Sequence, residues 1–186
     1  MTTVFLSGSR SVNRLDDAIR DRIRRMMDQE FAIVIGDASG ADKAMQIHLA
    51  ANGYRNVTVF CAGQTCRNNV GEWPTRHVEV PSSLSGRDFY TVKDKAMAGH
   101  ADYGFVLWDG KSAGSINNVL ELVRQGKSVV VHLSTTRNFA VVKTAEDIAR
   151  LLELCDRDDY LDIARKTNLT RTMAEIGRAG QATLNL

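Results

Sequence analysis

Three short segments rich in glycine, serine and aspartate are the part of this sequence best suited to chemistry. Each follows an apolar run and precedes a stretch with helical periodicity; they span residues 7–10, 36–42 and 109–115. The first reads Ser7-Gly8-Ser9-Arg10, where glycine lets a ligand approach the backbone and arginine can bind a phosphate through two hydrogen bonds. A polar turn with a solvated arginine is the plain alternative.

The third segment carries the strongest signature of an anion site. Its small polar residues are Asp109, Gly110, Ser112, Gly114 and Ser115. They lead into a helix predicted over residues 116–125, and the backbone amides at a helix N-terminus attract anions. A capped helix needs only one serine, so the excess of small polar residues predicts phosphate binding rather than a simple cap.

The second segment places two carboxylates close to a strand end. Asp42 begins a predicted helix, where a carboxylate suits the helix dipole and can cap it. Asp37 follows a buried strand and can point into a cleft, to bind ribose hydroxyls or act as a base; an Asx-turn is the structural alternative. Gly36 and Gly40 permit tight geometry here. The chain has neither a GxGxxG pattern nor a P-loop lysine, which disfavours a dinucleotide dehydrogenase.

Alternating strands and helices must position these segments. Apolar strands are predicted near residues 4–6, 31–35, 56–63, 102–109 and 127–133, with amphipathic helices such as residues 16–27 and 41–51 between them. Such alternation implies right-handed βαβ units. The predicted fold class is therefore α/β, a Rossmann-like three-layer sandwich with a mostly parallel central sheet and helices on both faces. Because ligands bind beyond the carboxyl ends of parallel strands, the three segments are expected to form one site.

The remaining chain is expected to extend this domain. Residues 64–86 hold both prolines and predict a long irregular excursion, with a short strand near 77–80. A short extra strand is expected at 139–142, and Thr144 with Asp147 forms a capping box for a further helix. The domain is assigned to residues 1–155. Residues 156–186 are assigned to a helical extension and a loosely held tail or partner-binding arm beginning at Leu169.

Composition restricts the class of protein. The chain has 186 residues, of which 44% are hydrophobic and 25% charged, and this suits one globular α/β domain. The net charge of +2 gives no polyanion-binding signature by itself. With no membrane-spanning run and no signal peptide in this sequence, a cytoplasmic location is expected, without a membrane partner. Reduced thiols are expected at Cys61, Cys66 and Cys155, and no metal site is expected.

The order of the segments resembles the SLOG superfamily, and within it the YspA-like branch. The resemblance rests on "FLSGSR", "VIGDASGADKAM" and "KDKAMAGHADYGFVLWDGKSAGSINNVLELVRQGKSVVV", and it covers Val4 to about Leu133. It implies a Rossmann-like domain that binds a nucleotide or a nucleotide-derived ligand at these turns. The ligand-binding residues expected on this basis are Gly8, Ser9, Arg10, Gly36, Asp37, Gly40, Asp42, Asp109, Gly110, Ser112, Gly114, Ser115 and Asn118.

One departure from the family pattern concerns catalysis. Relatives that cleave N-glycosidic bonds place a glutamate on the helix after the third segment, whereas this chain has Asn118 at the matching position. An amide cannot act as a carboxylate nucleophile or neutralise an oxocarbenium-like charge. The catalytic candidates that remain are Asp37, Asp109 and Glu121, and Glu121 lies one helical turn beyond Asn118.

Three functional hypotheses follow. The first is a sensor or regulatory module that binds a small nucleotide, needs no cofactor, and forms a homodimer or a higher homo-oligomer. The second is an N-glycosidase acting on nucleoside 5′-monophosphates. The third, which the composition does not favour, is single-stranded DNA binding as in the related DprA proteins. Tyr90, Trp108 and His132 are secondary ligand-facing candidates, as are the loop arginines Arg67, Arg76 and Arg87.

Overall fold

A computed structural model describes the backbone of residues 1–184 and the side chains of residues 1–179. Seven strands and seven helices occur in the described backbone. In chain order they are β1 (Thr3–Gly8), α1 (Asp17–Asp28), β2 (Ala32–Gly36), α2 (Ala41–Ala51), β3 (Val57–Ala62), β4 (Thr75–Val78), α3 (Gly86–His100), β5 (Tyr103–Trp108), α4 (Ala113–Arg124), β6 (Val129–Leu133), β7 (Asn138–Val142), α5 (Ala145–Leu152), α6 (Arg157–Thr167) and α7 (Leu169–Leu184).

The strands form one sheet in the order β4-β3-β2-β1-β5-β6-β7. All neighbouring pairs are parallel except β6 and β7, which pair antiparallel. The chain winds outward from β1 to β4 and then returns to place β5 on the other side of β1. The carboxyl ends of β2, β1 and β5 are therefore neighbours around the point where the winding direction changes. Each of the three polar segments follows one of these strands.

Helices cover both faces of the sheet, as the α/β prediction required. One face packs against α1 and α2 through residues such as Ile19, Ile23, Met45 and Leu49. The other face packs against α3 to α7, and its core includes Met97, Val119, Ile148, Ile163 and Ile176. The Rossmann-like three-layer sandwich is therefore confirmed.

Local sequence signals account for several helix boundaries. The Thr144 side chain accepts a hydrogen bond from the Asp147 amide, and the Asp147 carboxylate in turn accepts from the Thr144 amide, so the predicted capping box begins α5. Helix α2 spans the predicted range, and α6 begins after the N-cap Asp156. Helix α4 begins at Ala113, three residues before its predicted start, so Gly114 and Ser115 belong to its first turn.

The C-terminal segment is more ordered than the sequence suggested. Leu169, Ile163 and Ile176 are all buried in the same hydrophobic cluster as the α4 residues. The expectation of a loosely held tail from Leu169 is therefore wrong for the described part of α7, because its apolar stripe packs against the rest of the domain. Residues 185 and 186, the end of that expected tail, lie outside the described residues.

The cysteines also differ from expectation. Gly63, with φ of 68°, turns the chain back after β3, and the Cα atoms of Cys61 and Cys66 lie 5.1 Å apart and are joined through a disulfide. The prediction of reduced thiols is wrong for this pair, while Cys155 is a free thiol. Across the described helices, none is both long and apolar enough to cross a membrane.

Candidate functional site

A cleft of about 680 Å³ opens at the carboxyl edge of β2, β1 and β5. Helix α3 and the later helix α6 form its walls. The predicted ligand-binding residues that line it are Gly8, Arg10, Asp42, Asp109, Ser112, Gly114, Ser115 and Asn118. The structure therefore brings the three segments together at one site, as the sequence predicted.

Other site candidates lie behind this lining or outside it. Ser9, Gly36, Asp37, Gly40 and Gly110 support the turns without lining the cleft itself. Glu121 lines a neighbouring groove of about 410 Å³ between α3, α4 and α7. Its carboxylate accepts hydrogen bonds from Arg124 at 2.6 Å and from Gln125 at 2.7 Å. The structure does not bring Glu121 to the other two catalytic candidates.

A network of serine hydroxyls joins the first and third segments. The Oγ atoms of Ser9 and Ser115 lie 3.0 Å apart, and the Ser115 hydroxyl donates to the Ser112 Oγ at 3.3 Å. The Ser9 Oγ also accepts a hydrogen bond from the amide of Asp109 at 3.1 Å. These contacts hold the turn after β1 against the N-terminus of α4, so the serines predicted to bind a ligand also build the site.

Asp109 organises the turn before α4. Its carboxylate accepts from the Ser112 amide at 2.7 Å, from the Lys111 amide at 3.1 Å and from the Ser11 hydroxyl at 2.6 Å. Burial raises the pKa of Asp109, but these hydrogen bonds outweigh burial and hold the pKa below its ordinary value. The carboxylate therefore stays ionised, and its oxygens are engaged in hydrogen bonds within the turn. This suits a structural role better than attack on a ligand.

The first turn of α4 offers unused hydrogen-bond donors to the cleft. Within the described part of the chain, the Ser112 side chain makes no capping hydrogen bond, and the amides of Gly114 and Ser115 have no acceptor. A Cβ added at Gly114 would meet only the Ser112 Oγ, at 3.9 Å. Because no protein contact requires glycine there, the open space above it is available to a ligand.

Asn118 presents a second unused polar group. Its Nδ2 donates to the Ser7 Oγ at 3.1 Å, which ties α4 to β1. Its Oδ1 is buried and has no partner among the described residues, although the side chain lines the cleft. A buried acceptor without a partner costs about 1–3 kcal/mol, so a donor arriving with a ligand would be stabilised at this position.

Asp37 is held by an arginine and a lysine. The Arg67 guanidinium contacts its two oxygens at 2.6 and 3.1 Å, and the Arg67 amide donates at 3.0 Å. The Lys93 Nζ lies 3.8 Å from the same carboxylate. Burial raises the pKa of Asp37, but the Arg67 hydrogen bonds and the two positive charges together lower it below its ordinary value. Asp37 thus neither forms an Asx-turn nor presents a free base. Its carboxylate anchors the loop after β3.

Asp42 lies beside this ion cluster and faces the cleft. Its Oδ2 accepts from the Ala38 amide at 3.2 Å, and only 5% of the residue is exposed. Burial, which the Lys93 charge only partly offsets, raises the pKa of Asp42 to about 7. The sequence indicated a helix cap, but the tertiary structure makes Asp42 the most strongly perturbed carboxyl in the cleft.

Close packing between the first two turns requires glycine at two positions. A Cβ at Gly8 would meet the Leu107 oxygen at 2.5 Å and the Ala41 Cβ at 2.7 Å. Gly40 has φ of 76°, and a Cβ there would meet the Arg10 oxygen at 2.2 Å. Their absent side chains allow the turns after β1 and β2 to touch each other.

Cationic and aromatic side chains surround the opening of the cleft. Arg10, Lys111 and Lys166 line it with exposed charges. The Arg87 guanidinium donates to the carbonyl oxygens of Lys166 at 2.7 Å and Ala113 at 3.2 Å, which ties α3 to α6 and α4. The Arg67 guanidinium lies 4.2 Å from the centre of the Tyr90 ring.

The other secondary candidates are not part of the cleft. Arg76 stacks on Phe60 at 5.4 Å, and Trp108 is fully buried in the core. The His132 Nε2 lies 3.2 Å from an Asp16 oxygen, close to the start of α1. The sequence around these three residues did not show whether each side chain lies in the core or faces a ligand.

Several residues that line the cleft were not among the ligand-binding residues predicted from the sequence. Lys93 and Asp94 of α3 and Asp162 and Lys166 of α6 all line it. A signal existed for Lys93, since it lies four residues before the buried Met97 and therefore shares its helix face. No local signal exists for the α6 residues, because only the packing of α6 against α4 brings them here.

The described residues contain no group of three or more histidine, cysteine, aspartate or glutamate side chains arranged to hold a metal ion. Comparisons with protein-family models, with curated proteins and with solved structures find no match for this chain.

Proposed function

We propose that this protein binds a nucleotide or a nucleotide-derived ligand in the cleft at the carboxyl edge of β2, β1 and β5, as a sensor or regulatory module. The observation that carries the proposal is the first turn of α4. Among the described residues, the amides of Gly114 and Ser115 have no acceptor and the buried Asn118 Oδ1 has no partner, and the space beside the Gly114 Cα is open. The resemblance of the three segments to the SLOG superfamily supports the same ligand class, and membership of that superfamily is part of the proposal.

The electrostatics of the α4 end suit a phosphate. A helix N-terminus carries about half a positive charge and unused amide donors. Exposed Arg10 and Lys111 add positive charge around it, whereas the Lys166 ammonium is paired with Asp162 at 2.6 Å. The ionised Asp109 carboxylate lies at the same turn, and two backbone amides and the Ser11 hydroxyl donate hydrogen bonds to it.

The same contacts favour binding over cleavage. An N-glycosidase needs a carboxylate free to stabilise or attack the sugar. Of the three carboxylates predicted to be catalytic, Asp37 is held by Arg67, Asp109 by its own turn, and Glu121 by Arg124 in the neighbouring groove. Asp42, which has no cation within 4.0 Å among the described residues, lies at the β2 end of the cleft, two strands from the α4 turn. Asn118 fills the remaining position with a neutral amide. We therefore propose a binding protein first, and release of free base from the ligand is the measurement that would favour the enzyme instead.

The direct test is calorimetric titration of the protein with nucleoside monophosphates, cyclic nucleotides, ADP-ribose and NAD, with inorganic phosphate as control. At least one nucleotide is expected to bind, and more tightly than phosphate alone. Analysis of the same mixtures by chromatography after incubation would reveal any free base. Absence of binding by every nucleotide in the panel would overturn the proposal.

The substitution Ser112→Asp tests whether the anion binds at the α4 turn of the cleft. Aspartate is as good an N-cap as serine, so the helix should remain as stable or become more so. Its carboxylate would accept from the amides that the phosphate is proposed to use and would repel the ligand, so affinity is expected to fall at least tenfold. Thr144→Asp makes a comparable exchange at the N-cap of α5, outside the cleft, and should leave binding unchanged. Equal affinities in both variants would exclude the α4 turn as the anion site.

A further inference from the structure

Carboxyl groups and cations cluster at the β2 end of the cleft, and the exposed Arg10 guanidinium lies nearby, 5.9 Å from the centre of the Tyr90 ring. Asp37, Asp42 and Asp94 meet there with Arg67 and Lys93. The Arg67 Nη2 lies 2.6 Å from Asp37, and the Lys93 Nζ lies 3.0 Å from Asp94 and 3.8 Å from Asp37. Among the described residues, no cation lies within 4.0 Å of Asp42. The two cations are thus taken by Asp37 and Asp94, and Asp42 is the carboxyl left over.

The end of β2 leaves room for the Asp42 carboxyl because residue 36 is glycine, although burial of a carboxylate is unfavourable. A Cβ at Gly36 would lie 2.4 Å from the Asp42 Oδ2 and 2.7 Å from the Lys93 Nζ, so glycine is required for both groups to lie against the end of β2. The residue is 95% buried yet lines the cleft, and one hydrogen bond from the Ala38 amide is its only protein donor in the described chain. A carboxyl in this position is unsatisfied until a donor arrives.

The spacing of the strands separates Asp42 from the proposed anion position. The α4 turn follows β5 and Asp42 follows β2, and the order β2-β1-β5 places them two strands apart, roughly 10 Å. Asn118, bound to Ser7 at the end of β1, lies between them. A ligand with its phosphate on α4 would therefore extend past Asn118 towards Asp42.

The walls at the Asp42 end are flat. Arg67 lies over the Tyr90 ring, and both side chains line the cleft. Guanidinium planes and aromatic rings are surfaces against which planar bases stack. This end of the cleft therefore suits the base of a nucleotide better than its sugar.

We propose that Asp42 accepts a hydrogen bond from an exocyclic amino group of the bound base, so that the site selects amino-bearing nucleotides over the matching oxo forms. This inference rests on the proposed nucleotide binding and adds the base class to it. Lys93 could donate to an oxo group instead, but its ammonium is bound by Asp94 and Asp37. A carboxylate receiving an amino donor is a general mode of base recognition.

The preference for the amino base should depend on pH. Because burial raises the pKa of Asp42 to about 7, the carboxyl is mainly ionised at pH 8 and mainly protonated at pH 6. Only the ionised form offers acceptors alone; the protonated form can donate to an oxo group. Preference for the amino base should therefore weaken as the pH falls from 8 to 6. The phosphate is common to both members of a matched pair, so its own protonation cancels in the ratio of their affinities.

The test is calorimetric titration with the matched pairs AMP against IMP and CMP against UMP. At pH 8 the wild-type protein is expected to favour the amino member of at least one pair by tenfold or more. Asp42→Asn keeps the size of the side chain and an acceptor for the Ala38 amide but replaces the carboxylate, and the preference should disappear. Asp21→Asn, on the exposed face of α1, should retain it.

The possible results separate this inference from the function on which it depends. Binding of no monophosphate overturns the proposed function and this inference together. Binding of both members with equal affinity at pH 8, or a preference that Asp42→Asn leaves intact, overturns only the role of Asp42. If Asp42→Asn does not fold, the pH series on the wild-type protein decides, since a preference that is the same at pH 6 and pH 8 contradicts the proposal.

Discussion

The Asn118 amide donates to the Ser7 hydroxyl at 3.1 Å and leaves its own oxygen without a partner among the described residues. This contact joins α4 to β1 across the point where the winding of the sheet changes direction. It places an unused acceptor between the amides of α4 and the carboxyl of Asp42. Asn118 is thus built into the centre of the proposed site.

Asn118→Ala should weaken nucleotide binding more than it weakens the fold. Loss of one buried hydrogen bond lowers the free energy of unfolding by about 1 kcal/mol. Affinity should fall about tenfold as well, because the acceptor facing the ligand is removed. Urea unfolding and calorimetric titration measure the two effects.

Ser7→Ala is the matched comparison for Asn118→Ala, because it breaks the same hydrogen bond but keeps the Asn118 oxygen. It should lower stability by a similar amount with a smaller loss of affinity. If both variants lost affinity equally, the Asn118 oxygen would have no role of its own in binding.

The Arg67–Asp37 ion pair should contribute strongly to stability. Asp37 is 1% exposed, so Arg67→Ala leaves a buried carboxylate with only Lys93 nearby. We expect a loss of about 2–3 kcal/mol, less than for a fully buried pair because 32% of the Arg67 side chain is exposed. Urea unfolding at pH 7 measures it, and Arg67→Ala with Asp37→Asn should recover part of the loss; no recovery would contradict the assignment.

The same ion pair predicts a pH dependence. The pKa of Asp37 is lowered in the folded protein, so the carboxylate contributes stability above its unfolded value of 3.8. That contribution is lost as the pH falls through the lower folded pKa. The difference in unfolding free energy between the wild-type protein and Asp37→Asn should therefore shrink under acid conditions, which unfolding curves between pH 3 and pH 7 would show.

The raised pKa of Asp42 predicts the opposite pH dependence of stability. Its pKa rises from 3.8 in the unfolded chain to about 7 in the folded protein. Between these values the folded state binds more protons, so its stability falls as pH rises, by no more than about 1.4 kcal/mol per pH unit. Asp42→Asn should therefore gain stability relative to the wild-type protein between pH 5 and pH 8. Parallel stability curves for the two proteins would contradict this.

Gly40 should tolerate substitution less than Gly53. Both have positive φ, 76° and 66°, so alanine is strained at either position, by about 1 kcal/mol or more, and Gly40, with ψ of −127°, lies outside the left-handed helical region as well. A Cβ at Gly40 also meets the Arg10 oxygen at 2.2 Å, whereas nothing lies within 4 Å of one at Gly53. Gly40→Ala should thus be the more destabilising substitution by at least about 1 kcal/mol. Urea unfolding midpoints compare the two, and equal midpoints would contradict the close contact between the first two turns.

Much of the scaffold could be predicted because its signals are local. Continuous apolar runs identified the central strands, and helical periodicity identified the helices between them. The rule that ligands bind at the carboxyl ends of parallel strands then brought residues 7–10, 36–42 and 109–115 together. The late helix α7 was missed because its sequence is polar and glycine-containing, and only its packing shows which residues are buried.

The roles of individual side chains depend on contacts that sequence reasoning did not contain. The sequence did not distinguish the roles of Asp37, Asp42 and Asp109, since each lies just beyond a strand. Their pKa values differ in the structure because the Arg67 guanidinium binds Asp37, while two backbone amides and the Ser11 hydroxyl surround Asp109. Asp42 accepts one hydrogen bond among the described residues, from the Ala38 amide. Lys93, which completes that cluster, is distant in the chain from the three segments.

The sequence by itself determined the α/β architecture and the edge of the sheet at which the three polar segments meet, because strand and helix periodicity and the direction of parallel strands are properties of short segments. Only the tertiary structure decided which acidic side chains are paired, which one faces the cleft unpaired, and that α6 closes one wall. Those features arise from burial and from charges brought together over long separations in the chain, and the energy of a carboxylate depends on its neighbours rather than on its own segment.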